Sequence, residues 1–136
     1  KGIELENRLA LTPQTTVTMA MSRGSYLTNA KKALPNVPQN QFNSGIQHRF
    51  KKGVFALNFR HVGERFADNA NTIRVPSFWT SDVFFQHHRK GIRATVGVNN
   101  VANTPYFDNI RINAFGGRYY EPATGRQAYF RVVVSL

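Results

Sequence analysis

Gln41-Phe42-Asn43-Ser44-Gly45-Ile46-Gln47-His48-Arg49-Phe50-Lys51-Lys52-Gly53-Val54-Phe55-Ala56-Leu57-Asn58-Phe59-Arg60 reads as two strands folded back on each other. Phe42, Ile46 and Phe50 share one side of an extended chain, and Asn43, Gln47 and Arg49 share the other. Beyond a Lys51-Lys52-Gly53 turn, Phe55, Leu57 and Phe59 oppose Asn58 and Arg60. Successive side chains of a strand point to opposite faces, so a period of two specifies one apolar and one polar face. A helix would wind these two sets into a mixed surface.

The same period runs outward in both directions. Upstream, Ile3, Leu5, Leu9 and Leu11 oppose Glu4, Glu6 and Arg8, and Val17, Met19 and Met21 oppose Thr16, Thr18, Ala20 and Ser22. Downstream, Trp79, Val83 and Phe85 oppose Asp82 and Gln86; Ile92, Ala94, Val96 and Val98 oppose Arg93 and Thr95. Finally Phe130, Val132, Val134 and Leu136 oppose Tyr129, Arg131 and Ser135. Seven strands result. Their connections alternate: tight turns around Thr12-Pro13-Gln14, Lys51-Lys52-Gly53 and Lys90-Gly91, and long connections over 27–41, 66–76 and 103–126 rich in Asn, Pro and Gly. Short turns at one end and long loops at the other are the plan of an outer-membrane barrel, and a soluble sandwich does not require that alternation. The expected fold is therefore all-β, an antiparallel transmembrane β-barrel. An open set of seven strands leaves unpaired edges that lipid cannot satisfy, so the remainder of the same barrel is a required partner.

Composition narrows the alternatives. No window approaches the apolar length of a transmembrane helix. The opening Lys1-Gly2-Ile3-Glu4 has no apolar run with a small-residue cleavage site, and it reads as a cut made inside a longer protein. The absence of cysteine removes disulfides, thiolate metal sites and cysteine nucleophiles. Eighteen Lys and Arg against seven Asp and Glu give a net charge of +11, which suits nucleic acid, anionic lipid or an anionic ligand. The short basic runs at Lys31-Lys32, 49–52 and Arg89-Lys90 read as solvated turn residues, two of them beside glycine.

Several segments resemble the late barrel strands of TonB-dependent receptors. Val98-Asn99-Asn100-Val101-Ala102-Asn103-Thr104-Pro105-Tyr106-Phe107 is similar to that family's "VNNLFDKxYF"-like run, and Leu34-Pro35-Asn36-Val37-Pro38 to its "LPNVP". Arg60-His61-Val62-Gly63-Glu64-Arg65-Phe66-Ala67-Asp68 resembles "RYVGxRYxD", and Glu121-Pro122 with Gly125-Arg126 resembles the "EPGR" before the final strand. The matches occur in the family's order across nearly the whole chain. The resemblance implies that residues 1–136 supply about seven C-terminal strands of a roughly 22-stranded barrel, with the plug domain and earlier strands lying elsewhere. It implies a bacterial outer-membrane receptor that imports a ferric siderophore or similar scarce nutrient, energised by the TonB complex through the plug. Members of that family usually end in an aromatic residue, commonly Phe, where this chain has Leu136, and the resemblance implies a small truncation.

Within that frame, Arg8, Arg60, Asp82, Arg93 and Arg131 are expected on the lumen- or plug-facing wall, with Asp82, Glu4 and Glu6 as partners for arginines in a hydrated lumen or on the plug. Arg74, Arg111, Arg118, Tyr119 and Tyr120 in the long loops combine cationic and aromatic surface suited to a ferric chelate. Loop anchoring and contact with lipopolysaccharide phosphates remain open for the same residues. No catalytic set is found: there is no Gly-x-Ser-x-Gly elbow and no paired carboxylates at a pocket. His87 and His88 point to opposite faces and His48 and His61 lie on separate strands, so neither a metal site nor a cofactor is expected, and the histidines read as lumen or interface residues. Two rival functions share part of the pattern. A soluble nucleic-acid-binding barrel predicts aromatics on the basic face, whereas Phe55, Leu57 and Phe59 lie opposite Arg60; the expectation is no nucleic acid. A general porin or adhesin barrel shares the alternation and lacks the quoted motifs.

Overall fold

The computed structural model describes the backbone of residues 1–113 and 117–135, and side chains at 1–110 and 120–135. Its elements are β1 (Gly2–Ala10), β2 (Thr15–Gly24), β3 (Asn40–Phe50), β4 (Gly53–Val62), β5 (Arg65–Phe66), β6 (Arg74–Val75), β7 (Phe78–Arg89), β8 (Ile92–Asn99), β9 (Phe107–Asn113), β10 (Gly117–Pro122) and β11 (Gln127–Val134). One antiparallel seven-stranded sheet runs β1-β2-β3-β4-β7-β8-β11, and β5-β6 and β9-β10 form two small ribbons. The seven alternating segments are the seven strands of the main sheet.

Register makes the two faces continuous. Residues paired across neighbouring strands share a face, and the row Thr15, His48, Phe55, Phe85, Val96, Phe130 crosses six strands. The row Leu9, Val17, Ile46, Leu57, Val83, Val98 lies beside it. On this face the formal charges are Arg23 and Arg89, one near each end of its strand. Large apolar groups stand in the open across it, with Phe130 72% and Val96 52% exposed. A soluble domain would have to cover such a surface. The opposite face carries the row Arg8, Thr18, Gly45, Asn58, Asp82 and, nearer the short turns, Arg49, Val54, Gln86, Thr95, Arg131.

The short turns at 11–14, 51–52 and 90–91 lie at one end of the sheet, and the connections 25–39, 63–77 and 100–126 at the other. In the last short turn Lys90 (φ 47°) and Gly91 (φ 77°) both take the left-handed conformation, the two-residue geometry whose twist matches an antiparallel hairpin. The long connections begin a few residues earlier than the sequence pattern suggests. Two of them are not plain loops, because β5-β6 and β9-β10 pair within them. No helix among the described residues is long and apolar enough to cross a membrane, which says nothing about crossing by strands.

Candidate functional site

The long connections are fastened to one another, and this gives the loop end a structure that alternation alone does not foretell. Asn71, in the connection between β6 and its partner β5, donates from Nδ2 to the Ala33 carbonyl oxygen at 2.9 Å and accepts from the Ala33 amide at 2.7 Å through Oδ1. The Asn36 amide donates to the Phe66 carbonyl oxygen at 2.7 Å. Arg65 joins all three connections: its Nε donates to Asn36 Oδ1 at 3.0 Å and its Nη2 to the Phe107 carbonyl oxygen at 2.9 Å. Beneath these bonds Ala67, Val75 and Ile110 form a small buried core, with Ile73, Phe107 and Tyr120 packed against it.

Arg65 is 6% exposed and its Nη1 has no hydrogen-bond partner. Burial and the neighbouring Arg60 guanidinium push Arg65 below its ordinary pKa, while Asp108 opposes them. An arginine stays charged under such a shift, so a cation is held at the base of the loops. It lines a cavity of about 200 Å³ together with Asn36, Gln41, Arg60, Phe78 and Asp108. Arg60 also lies over the Phe78 ring, 5.6 Å from its centroid, and Phe78 stacks on Tyr106 at 4.2 Å. Among the described residues Arg65 is the functional candidate that the sequence reading passed over. Its signal was inside the quoted "RYVGxRYxD"-like segment, but a single arginine in a loop gives no sign of burial.

Arg8, Arg60, Asp82, Arg93 and Arg131 occur on one face, opposite the apolar one. A concave cavity of about 660 Å³ on that face is lined by Glu6, Arg8, Asn43, Asn58, Arg60 and Asp82, among others. Among the described residues no arginine of this chain forms an ion pair with Asp82. Asp82 Oδ1 accepts from the Asn100 amide at 2.8 Å, capping the turn that follows β8. The ion pair seen among the described residues is instead Arg74 with Glu64, at 2.8 Å and well exposed.

That pair and a contact with the Phe66 ring, 5.5 Å from its centroid, engage Arg74 within its own connection. Tyr120 packs on Phe107 at 4.9 Å and belongs to the loop core. Arg111, Arg118 and Tyr119 lie on the β9-β10 ribbon, where Tyr119 pairs with Arg111 and Arg118 with Ile112; their side chains fall outside the described residues. His48, His61 and His87 stand on the apolar face and His88 on the polar face, so three of the four are not on the polar side. His61 lies 4.3 Å from Trp79 and His48 lies 4.6 Å from Phe50. No cluster of three or more His, Cys, Asp or Glu able to hold a metal occurs among the described residues.

Comparison with known proteins agrees with this geometry. The family model described as "TonB dependent receptor-like, beta-barrel" matches residues 1–101. The ferric yersiniabactin uptake receptor FyuA from Yersinia pestis superimposes with a TM-score of 0.82 at 17% identity, over 98% of this chain and 23% of that one. The copper transporter OprC superimposes with a TM-score of 0.80 at 17% identity, over 99% of this chain and 24% of that one. For the ferripyoverdine receptor of the Pseudomonas aeruginosa outer membrane the values are 0.76, 20%, 98% and 19%. The chain thus spans about a quarter or less of the length of these solved chains.

Proposed function

The chain belongs to the TonB-dependent receptor-like β-barrel family of the bacterial outer membrane, and from that premise we propose that it forms late strands in the wall of a receptor that imports a ferric siderophore or a similar scarce nutrient, energised by TonB. The observation that carries this reading is the division of one single-layer sheet into an apolar face with its charges confined to the margins and a polar face lined by Arg8, Arg60, Asp82, Arg93 and Arg131. In a closed barrel the first face meets lipid, and the second lines the lumen and meets the plug. The edge strands β1 and β11 require neighbours from the same barrel, since an unpaired edge cannot face hydrocarbon.

Ligand capture falls to the fastened loop end. Arg111, Arg118 and Tyr119 on the β9-β10 ribbon are the candidates for contact with an anionic chelate, because charged and aromatic groups on a supported ribbon meet such a ligand at low ordering cost. Tyr120 supports that ribbon through Phe107 and the loop core, while Arg74 is engaged by Glu64 and Phe66 within its own connection. Copper import, for which the structural neighbour OprC is named, falls within the same general reading of scarce-nutrient uptake.

The test is uptake of radioactive iron, supplied as a panel of ferric chelates, by cells carrying or lacking the intact receptor. Receptor-dependent uptake that stops when the proton gradient is collapsed supports the proposal. Uptake of small solutes that persists without the gradient would identify a passive porin instead. A second arm replaces Arg111 and Arg118 by Ala in the intact receptor; whole-cell binding should fall about tenfold or more at equal surface abundance, the loss expected for a charge-assisted contact.

A further inference from the structure

The charge of this chain is unevenly divided between its two ends. No Asp or Glu occurs between Glu6 and Glu64, nor between Asp82 and Asp108, so the short turns 51–52 and 90–91 and the strand ends flanking them contain none. At the loop end Glu64, Asp68, Asp108 and Glu121 accompany the cations. The short-turn end has Arg49, Lys51, Lys52, Arg89 and Lys90, all exposed.

The sheet brings these groups together. Because β4 pairs with β7, Gly53 lies opposite His87, and the His88 amide donates to the Lys52 carbonyl oxygen at 2.9 Å, which ties the two turns side by side. Arg89 pairs with Ile92 and shares the face of Phe85 and Val96, the apolar face, not the polar one. Just inside the turns that face becomes aromatic: Phe50 lies 6.2 Å from Phe85, and Phe55 is paired with Phe85. A cationic rim directly beside an aromatic band has the depth profile of a headgroup layer, where rings sit at the interface and long basic side chains extend toward phosphate. Solvated turn residues would have no reason to exclude every carboxylate from two adjacent turns, nor to put Arg89 on the lipid side.

We propose that Lys51, Lys52, Arg89 and Lys90 form a binding site for the phosphodiester headgroup of an anionic phospholipid in the inner leaflet of the outer membrane. The cations converge on that headgroup from two neighbouring turns, and the adjoining Phe50 and Phe85 contact the start of the acyl chains. The site rests on the outer-membrane reading above and on the short turns facing the periplasm; it does not depend on which nutrient is imported.

The experiment uses the intact receptor in nanodiscs of phosphatidylethanolamine containing a minority of phosphatidylglycerol, with the lipids retained by the protein counted by mass spectrometry. The wild type should retain phosphatidylglycerol over phosphatidylethanolamine at a ratio about tenfold above their ratio in the disc, as several basic groups at an anionic surface provide. The Lys51→Gln, Lys52→Gln, Arg89→Gln, Lys90→Gln variant should lose that enrichment. A Lys51→Arg, Lys52→Arg, Lys90→Arg variant and a loop-end Lys31→Gln, Lys32→Gln control should keep it, with heat-modifiable migration verifying folded barrels. No enrichment in the wild type overturns the proposal even if the neutral variant fails to fold, and so does unchanged enrichment in that variant. A polyglutamate probe that binds the rim while phosphatidylglycerol is not enriched would assign the surface to a soluble acidic partner and overturn it as well. Orientation has its own arm: a Lys52→Cys receptor should react with a membrane-impermeant maleimide only after the outer membrane is permeabilised. Labelling of intact cells would turn the rim toward lipopolysaccharide and defeat the proposal, while leaving the nutrient-uptake assay untouched.

Discussion

Arg65 Nη2 donates to the carbonyl oxygen of Phe107 across 2.9 Å, so the connection after β4 is held to the connection after β8 by one buried guanidinium. The same group reaches Asn36 through Nε, and a lysine has no fork with which to meet two acceptors at once. In the intact receptor Arg65→Met should destabilise the loop end by about 1–3 kcal/mol, the cost of buried acceptors left without donors, and Arg65→Lys should recover only part of it. Limited proteolysis is the measurement: cleavage within 25–39 and 63–77 should accelerate while the barrel keeps its heat-modifiable migration. Unchanged cleavage would mean that the apolar core of Ala67, Val75 and Ile110 holds the loops without Arg65.

On the polar face, the Tyr129 ring lies across Gly97, its pairing partner, where an added Cβ would come within 2.5 Å of ring atoms. Gly97→Ala should therefore weaken the β8–β11 pairing by displacing the ring, whereas Gly97→Ala in a Tyr129→Ala background should be tolerated. The double-mutant cycle should show a coupling of roughly 0.5–3 kcal/mol between the two positions, read from urea midpoints of the receptor folded into vesicles. Additive effects would show that the ring moves aside freely.

Neighbouring residues of β8 should respond differently to charge. Val96 is 52% exposed and lies on the apolar face, while Thr95 faces the other way, paired with Gln86 and Arg131. Val96→Arg should cost roughly 2–4 kcal/mol, the penalty for arginine on the lipid side near the bilayer midplane, and Thr95→Arg much less. The fraction folded into vesicles at graded urea concentrations gives both values, and equal penalties would contradict the assignment of faces.

Acid should loosen one turn before the sheet. Asp68 accepts from the Thr72 hydroxyl at 2.7 Å and from the Thr72 and Ile73 amides at 2.9 Å each. The Thr72 hydrogen bond is the largest cause holding its pKa below the ordinary 3.8, and the backbone bonds add to it against a desolvation that raises it. A depressed folded value means that the carboxylate stabilises this turn in full above pH 3.8, and that the contribution is lost as pH falls through the folded value. At neutral pH, Asp68→Asn should raise the exchange rate of the Thr72 and Ile73 amides several-fold without altering exchange in β4 or β7. Equal exchange in the two proteins would show that those amides are protected by something other than the charge.

Strands and their faces were legible in the order of the residues. Side-chain direction in a strand follows from parity, so Phe55, Leu57 and Phe59 had to oppose Asn58 and Arg60 whatever lay on either side, and the short turns at Lys51-Lys52 and Lys90-Gly91 set the register locally. Within the loops no such rule holds, because their contacts join residues far apart in the chain through individual hydrogen bonds and small apolar patches. That Arg65 is buried between Asn36 and Phe107, that Asp82 caps the turn at Asn100, and that Tyr120 packs on Phe107 were settled only when the sheet brought the ends of β3, β4, β7 and β8 together. The same adjacency joined two basic turns, 38 residues apart from Lys52 to Lys90, into one rim. Parity is a property of each residue and its neighbours in the chain, whereas the loop end and the basic rim are properties of strand order.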